Sequence, residues 1–266
     1  MNPITHASQS SQEAFALAMK FLCARIEQAQ NKSLPVAVFL SGGSVIPGYI
    51  VLADYIERLE NAGSITLLLA DERWNTDPNH AHSNARQIEE QTHLFSRAKI
   101  AGARVLLPLQ GHGKEEDARA YNEVVRNVLE THVCIGVFGV GADSHTMGIL
   151  PLLTEEGFDG VFAQFPFYAP LHYPAGEPAY APPSPKATDG HSNASVDKHR
   201  ERLTLTPQAI ARFQEGIVYA CGDTKKQALE NLLQRPAEEW QRYPAVILRQ
   251  IPKLAIFTDQ QLKALV

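Results

Sequence analysis

No apolar run in this 266-residue chain approaches the roughly 20 residues needed to cross a bilayer, so no membrane partner is expected. Met1 to Gln12 is polar, without a basic stretch leading into an apolar core, so no secretory signal is expected and a cytoplasmic setting is. Cysteine is scarce. Cys23, Cys134 and Cys221 are odd in number, far apart and set in apolar runs, which favours buried thiols over a disulfide framework or a Cys-based metal site. Basic residues are not in excess: 24 Lys and Arg face 29 Asp and Glu, and the net charge of −5 leaves no footprint for nucleic acid. The ten histidines include no H-E-x-x-H and no carboxylate–His cluster with metal spacing, so no metal is expected, and His80 and His82 read as a solvated loop feature. There is neither a G-x-G-x-x-G fingerprint nor a Walker A loop. No internal repeat is visible.

What is present is ample for a core, at 44% apolar residues, with too few charges (20%) for a mainly disordered chain. Strand-like and helix-like segments alternate. Leu34–Leu40, Ile65–Ala70, Val105–Pro108, Val133–Gly139, Ile217–Cys221 and Leu254–Thr258 are short continuous apolar runs, as in strands buried on both faces. Helical spacing marks Gln9–Gln30, Pro47–Glu60, His80–Leu94, Glu115–Thr131 and Thr224–Gln234, with Pro47 suited to a first helical turn. This alternation predicts a three-layer, doubly wound, Rossmann-like α/β fold: a mostly parallel sheet with helices on both faces. Phe165 to Arg200 breaks the pattern, with seven prolines from Pro166 to Pro185 and no sustained period. It reads as a long insertion within one domain spanning 1–266, because too little strand material follows for a second core. A lid over a site and a plain surface excursion both fit it.

Three segments leaving strands carry chemistry. In Ser41-Gly42-Gly43-Ser44, two glycines after a buried strand let the backbone turn sharply and present bare N–H groups, and a following helix N-terminus favours phosphate. Asp71-Glu72-Arg73 lies at the same carboxyl edge, where Arg73 could clamp a phosphate or stabilise an oxyanion; an ion-paired turn is the plainer reading. Trp74 beside it suits either a sugar ring or a shield for the turn. In Gly141-Ala-Asp143-Ser-His145-Thr146, Asp143 and His145 stand two apart in a segment read as extended, so that the carboxylate orients an imidazole suited to accept and return a proton near neutrality. Arg202, before a short β-like run, and Lys225, starting the helix after the fifth strand, are cations placed to meet an anion.

Together these segments resemble the 6-phosphogluconolactonases of the glucosamine-6-phosphate isomerase/6-phosphogluconolactonase superfamily. That family reads S-G-G-S/T, then D-E-R, then G-x-G-x-D-G-H-T followed by an apolar stretch and Pro. The last is here Gly139-Val-Gly-Ala-Asp-Ser-His-Thr-Met-Gly-Ile-Leu-Pro151. The later R-x-T-L-T and G-x-x-K signatures match Arg202-Leu-Thr-Leu-Thr206 and Gly222-Asp-Thr-Lys225. The resemblance covers nearly the whole chain in order. It implies a cofactor-free hydrolase that opens 6-phospho-D-glucono-1,5-lactone to 6-phosphogluconate in the oxidative pentose phosphate pathway, with a sugar phosphate as its partner; a monomer is the default expectation, which the sequence itself does not decide. It further implies His145 as general base, Asp143 orienting it and Arg73 stabilising the oxyanion or holding charge. Ser41, Gly42, Gly43, Ser44, Asp71, Arg202 and Lys225 would bind substrate, most of them at its phosphate.

The sequence departs from that pattern where Ser144 replaces the family Gly, which strains the loop if φ is positive there, and where Gly148 replaces a family Ser. The Pro-rich insertion before Arg202 is also longer than the family pattern. Two other functions stay open: a sugar-phosphate sensor that binds without turnover, for which Ser144 is the sole support, and the amino-sugar-phosphate deaminase/isomerase branch. The latter resembles G-H-I-A-F-N-E-P, with an acid five residues beyond His, where this chain has Leu150.

Overall fold

The computed structural model describes residues 3–151, 158–173 and 201–262. Among these, the strands are β1 (Ile4–Ala7), β2 (Val36–Leu40), β3 (Ile65–Leu69), β4 (Asp71–Arg73), β5 (Arg104–Val105), β6 (Val133–Gly139), β7 (Tyr168–His172), β8 (Glu201–Leu205), β9 (Glu215–Tyr219) and β10 (Lys253–Thr258). The α-helices are α1 (Ser11–Gln30), α2 (Tyr49–Glu57), α3 (Asn84–Thr92), α4 (Leu94–Ile100), α5 (Lys114–Thr131), α6 (Asp159–Gln164), α7 (Pro207–Ile210) and α8 (Lys226–Gln234). None is long and apolar enough to cross a membrane.

Seven strands form one sheet in the order β1-β10-β9-β6-β2-β3-β5, every pair parallel. Period-two alternation divides its residues between two cores. Val36, Val38 and Leu40 of β2 pack with Ala18, Leu22 and Ile26 of α1 and Leu52 and Ile56 of α2. Ala37 and Phe39 face the other way, toward Ala118 and Val125 of α5 and Leu229 and Leu232 of α8. All five residues of β2 are buried, which is why the run is continuously apolar. The doubly covered parallel sheet expected from the sequence is therefore present.

A second sheet departs from expectation. β4, β8 and β7 form a three-stranded antiparallel sheet in the order β4-β8-β7, with Arg73 paired to Arg202 and Asp71 to Thr204. Asp71–Arg73 is thus a strand rather than a turn, and Arg202 lies within β8 rather than ahead of it. Tyr168–His172, inside the segment read as aperiodic, is also a strand; Pro170 hides its β character because proline is rare within ladders. Residues 174–200, on which the lid reading rests, lie outside the described residues.

Other boundaries shift for local reasons. Gly43–Gly48 is a 3₁₀ turn containing Pro47, so α2 starts only at Tyr49. The helix read over His80–Leu94 begins at Asn84, capped by Ser83, and breaks at His93, whose φ is +52°, before α4. Lys225 ends a 3₁₀ turn (Asp223–Lys225) and caps α8. β5 covers only two residues, and the edge strand β1 was invisible to a search for continuous apolar runs because it is mostly exposed.

Candidate active site

The carboxyl ends of β2, β3, β6 and β9 lie on one edge of the parallel sheet, fixed by pairs such as Leu40 with Leu69 and Gly139 with Tyr219. The segments singled out in the sequence leave from this edge. After β6 the chain folds into a tight turn: Gly141 N donates to His145 O at 2.8 Å, and Ser144 N donates to Gly141 O at 3.0 Å. Asp143 and His145 do meet, but not by sharing one side of an extended segment. The turn brings Asp143 Oδ1 within reach of both the backbone N–H of His145 (3.1 Å) and its ring Nδ1 (2.5 Å).

Burial works to raise the Asp143 carboxyl, yet the bonds and charge of His145 outweigh it and hold the group below the usual carboxylate range. An ionised carboxylate only accepts, so His145 Nδ1 is the donor of this pair, and in the neutral form of the ring the lone pair then stands on Nε2. The His145 side chain is 42% exposed, which leaves the ring open to solvent and ligand. Gly141 is required here by contact: a Cβ on it would lie 2.0 Å from His145 Nδ1 and 2.5 Å from Asp143 Oδ1.

Asp71 is the hub of the basic side of the site. It is buried, and burial raises its carboxyl; Arg202, Arg73 and His145, in that order, pull it back. Burial in turn lowers Arg202, with Asp71 offsetting. Nε of Arg73 and Nε of Arg202 are both buried without a hydrogen-bond partner among the described residues. Gly148 closes over this pair: a Cβ there would lie 3.0 Å from Asp71 Oδ2. On the far side, burial lowers Lys225 while the charge of Asp143 raises it.

Several positions were misread or missed. His80 and His82 are not merely solvated: His80 Nε2 donates to Arg73 O at 2.9 Å, and Arg73 Nη1 donates to His82 O at 2.8 Å, so the loop grips the arginine at both ends. Trp74, next to β4, is partly buried and packs against the core. Among the described residues Glu72 makes no ion pair, against the plainer reading of the turn; its oxygens accept from Arg73 N, Asn84 N, Ala85 N and Ser83 Oγ, and burial pushes its carboxyl up to about 7. Asn84, which the sequence reading passed over, donates from Nδ2 to Asp71 O at 2.9 Å and lies against Gly42, where a Cβ would stand 2.1 Å from Asn84 Oδ1. Ser83 before a helix was a legible cap, but nothing local announced where the next amide would reach.

The glycine turn is placed as expected but differently built. Gly43 has φ +79°, and the element that follows is the 3₁₀ turn, so the amides presented belong to that turn and not to an α-helix. Ser41 is buried with its Oγ unpartnered among the described residues, and Ser44 is exposed. Burial pushes Cys23 up to about 11 and Cys134 up to about 12, so neither is a nucleophile at neutral pH.

An edge with a solvent-open imidazole, a fixed tautomer and a convergence of guanidinium groups can bind an anionic substrate and move a proton beside it. The family of glucosamine-6-phosphate isomerases/6-phosphogluconolactonases matches residues 9–159, more than half of the chain. The chain belongs to this family. Among solved structures, the 6-phosphogluconolactonase of Thermotoga maritima aligns with a TM-score of 0.71 at 20% identity, over 97% of this chain and 99% of that one. That of Trypanosoma brucei gives 0.68 at 17% identity, over 97% and 96%. A monomeric glucosamine-6-phosphate deaminase gives 0.66 at 18% identity, over 97% of both. These likenesses establish the shared fold of the isomerase/lactonase family and leave the choice of branch to the site. A comparison with curated proteins gives no match.

Proposed function

We propose that this protein hydrolyses 6-phospho-D-glucono-1,5-lactone to 6-phosphogluconate, the lactone-opening step of the oxidative pentose phosphate pathway. The observation that carries the reading is the Asp143–His145 pair, with Nε2 free at an edge that also gathers Arg73, Arg202 and Lys225. Water, relieved of a proton by His145 Nε2, attacks the lactone carbonyl carbon. The resulting oxyanion is stabilised by Arg73. Collapse breaks the bond from that carbon to the ring oxygen, which takes the proton back from His145 and leaves as a hydroxyl. Asp143 keeps the proton on Nδ1 and stabilises the transient imidazolium. The Ser41–Ser44 turn, Arg202 and Lys225 hold the phosphate, and Asp71 keeps the guanidinium groups in place.

Against the deaminase branch stands Leu150, which is buried, carries no titratable group, and donates its backbone N–H to Tyr173 OH at 3.0 Å. Against the sensor stands the accommodation of Ser144 without loss of the Asp143–His145 contact.

The test is a coupled assay in which glucose-6-phosphate dehydrogenase generates the lactone in place and 6-phosphogluconate dehydrogenase reports its opening. Acceleration above the spontaneous rate is expected, with kcat roughly 10²- to 10⁴-fold lower in His145→Ala and KM little changed. No acceleration by the wild-type chain, with tight 6-phosphogluconate binding, would replace the lactonase by the sensor.

A further inference from the structure

Ser144 has φ +70° and is 1% exposed, a conformation that a residue with a Cβ holds only when its surroundings over-determine it. Two of its constraints are backbone bonds: Ser144 N donates to Gly141 O at 3.0 Å, and Ser144 O accepts from Ala245 N at 2.9 Å. The third comes from a side chain that nothing in the reaction scheme uses. Asn231 of α8, also buried, donates from Nδ2 to Ser144 Oγ at 3.2 Å. The amide cannot turn over to any advantage. Its Oδ1 accepts from Gln227 Nε2, one turn behind on the helix, and from Nε of Arg235, the residue that ends it, each at 3.3 Å.

Ser144 separates Asp143 from His145, so its φ decides whether the imidazole turns back over the carboxylate or swings away from it. We propose that Asn231 is a positioning residue which, through the Ser144 hydroxyl, holds the turn in the conformation that pairs His145 with Asp143. The same bond couples that turn to α8, whose N-terminal cap is Lys225. One helix thereby sets the distance between the base and a phosphate-binding cation. The inference rests on the reading of His145 as general base. It differs from that reading in predicting that Asn231 matters only while residue 144 bears a side chain, because glycine adopts positive φ without help.

The experiment compares Asn231→Leu, Ser144→Ala, Ser144→Gly and the double variant Ser144→Gly/Asn231→Leu in the full chain. Readouts are kcat, KM, melting temperature and the ¹⁵N shift of His145 Nδ1. Asn231→Leu and Ser144→Ala are each expected to lower kcat about fivefold, the population change from losing one buried hydrogen bond, with KM nearly constant and the Nδ1 shift moved toward that of an unpaired ring. In the Ser144→Gly background, Asn231→Leu should change neither kcat nor the shift. An equal loss in both backgrounds would make Asn231 a mere packing residue of α8 and overturn the proposal, as would full kcat in both Asn231→Leu and Ser144→Ala. Should Asn231→Leu fail to fold, Ser144→Ala carries the comparison, and full kcat with an unmoved shift in it overturns the idea. Should the wild-type chain show no lactonase activity, the lactonase reading fails alone. The Nδ1 shift then decides this one: an unmoved resonance in Asn231→Leu overturns it, and a moved one supports it.

Discussion

Arg73 stands directly opposite Arg202 in the antiparallel register of β4 and β8. Like charges so placed repel, and here the buried carboxylate of Asp71 lies close enough to act on both, with Glu72 acting on Arg202 as well. Nε of each guanidinium is buried without a hydrogen-bond partner among the described residues, so both keep a donor for an anion near the edge of the parallel sheet where His145 lies.

Removing one of those charges should therefore weaken substrate capture more than it harms the fold. Arg202→Met is expected to lower kcat/KM by roughly 30-fold, about 2 kcal/mol for a lost charge-assisted contact, chiefly through KM. It should also shrink the rise in melting temperature expected of the wild type with 6-phosphogluconate. Steady-state kinetics and thermal shift check the two halves separately.

Asp143 links the site to acid stability. Its carboxyl is depressed on folding because His145, by hydrogen bond and charge, outweighs burial. A carboxyl so depressed contributes stability above its unfolded value of about 3.9 and loses that contribution as pH falls through the lower folded value. Asp143→Asn should flatten the stability profile below about pH 4, measured by urea melts across pH, and lower kcat roughly 10²-fold or more by releasing the tautomer.

Gly141→Ala tests the pair by geometry alone. The added methyl carbon would stand 2.0 Å from His145 Nδ1, and His145 must leave Asp143 to make room. Activity should fall as far as in His145→Ala while the circular dichroism spectrum stays unchanged. Retention of more than about a tenth of wild-type kcat would show that the pair is not needed in this geometry.

Glu72 is the structural counterpart of this chemistry. Its two oxygens accept from four donors that belong to β4 and the first turn of α3. Glu72→Gln must point an N–H at one of those donors, and a loss of roughly 2 kcal/mol is expected in chemical denaturation. The displaced Asn84 should also loosen the Ser41–Ser44 turn, read as a higher KM.

Much of this was legible in the chain. Continuous apolar runs announced six of the seven strands of the parallel sheet, all but the exposed edge strand β1, because a strand covered on both faces has no polar side to present. The glycine-rich and Asp-x-His segments pointed to one shared edge, since parallel strands place all their carboxyl ends together. The second sheet was not legible. β4 is three residues long, β7 contains Pro170, and β8 lies far along the chain from β4, so only long-range pairing reveals them.

The sequence by itself determined the alternating α/β order and the residue types that stand at the strand ends; those follow from local periodicity and from backbone freedom at glycine. Tertiary structure alone decided which of those residues touch. The bonding of Asn84 to the Asp71 carbonyl, the grip of His80 on Arg73, and the hydrogen bond by which Asn231 steadies Ser144 at a positive φ all join residues through side chains whose reach depends on packing. Spacing along a chain specifies a direction only within one element, whereas between elements direction comes from the core that holds them.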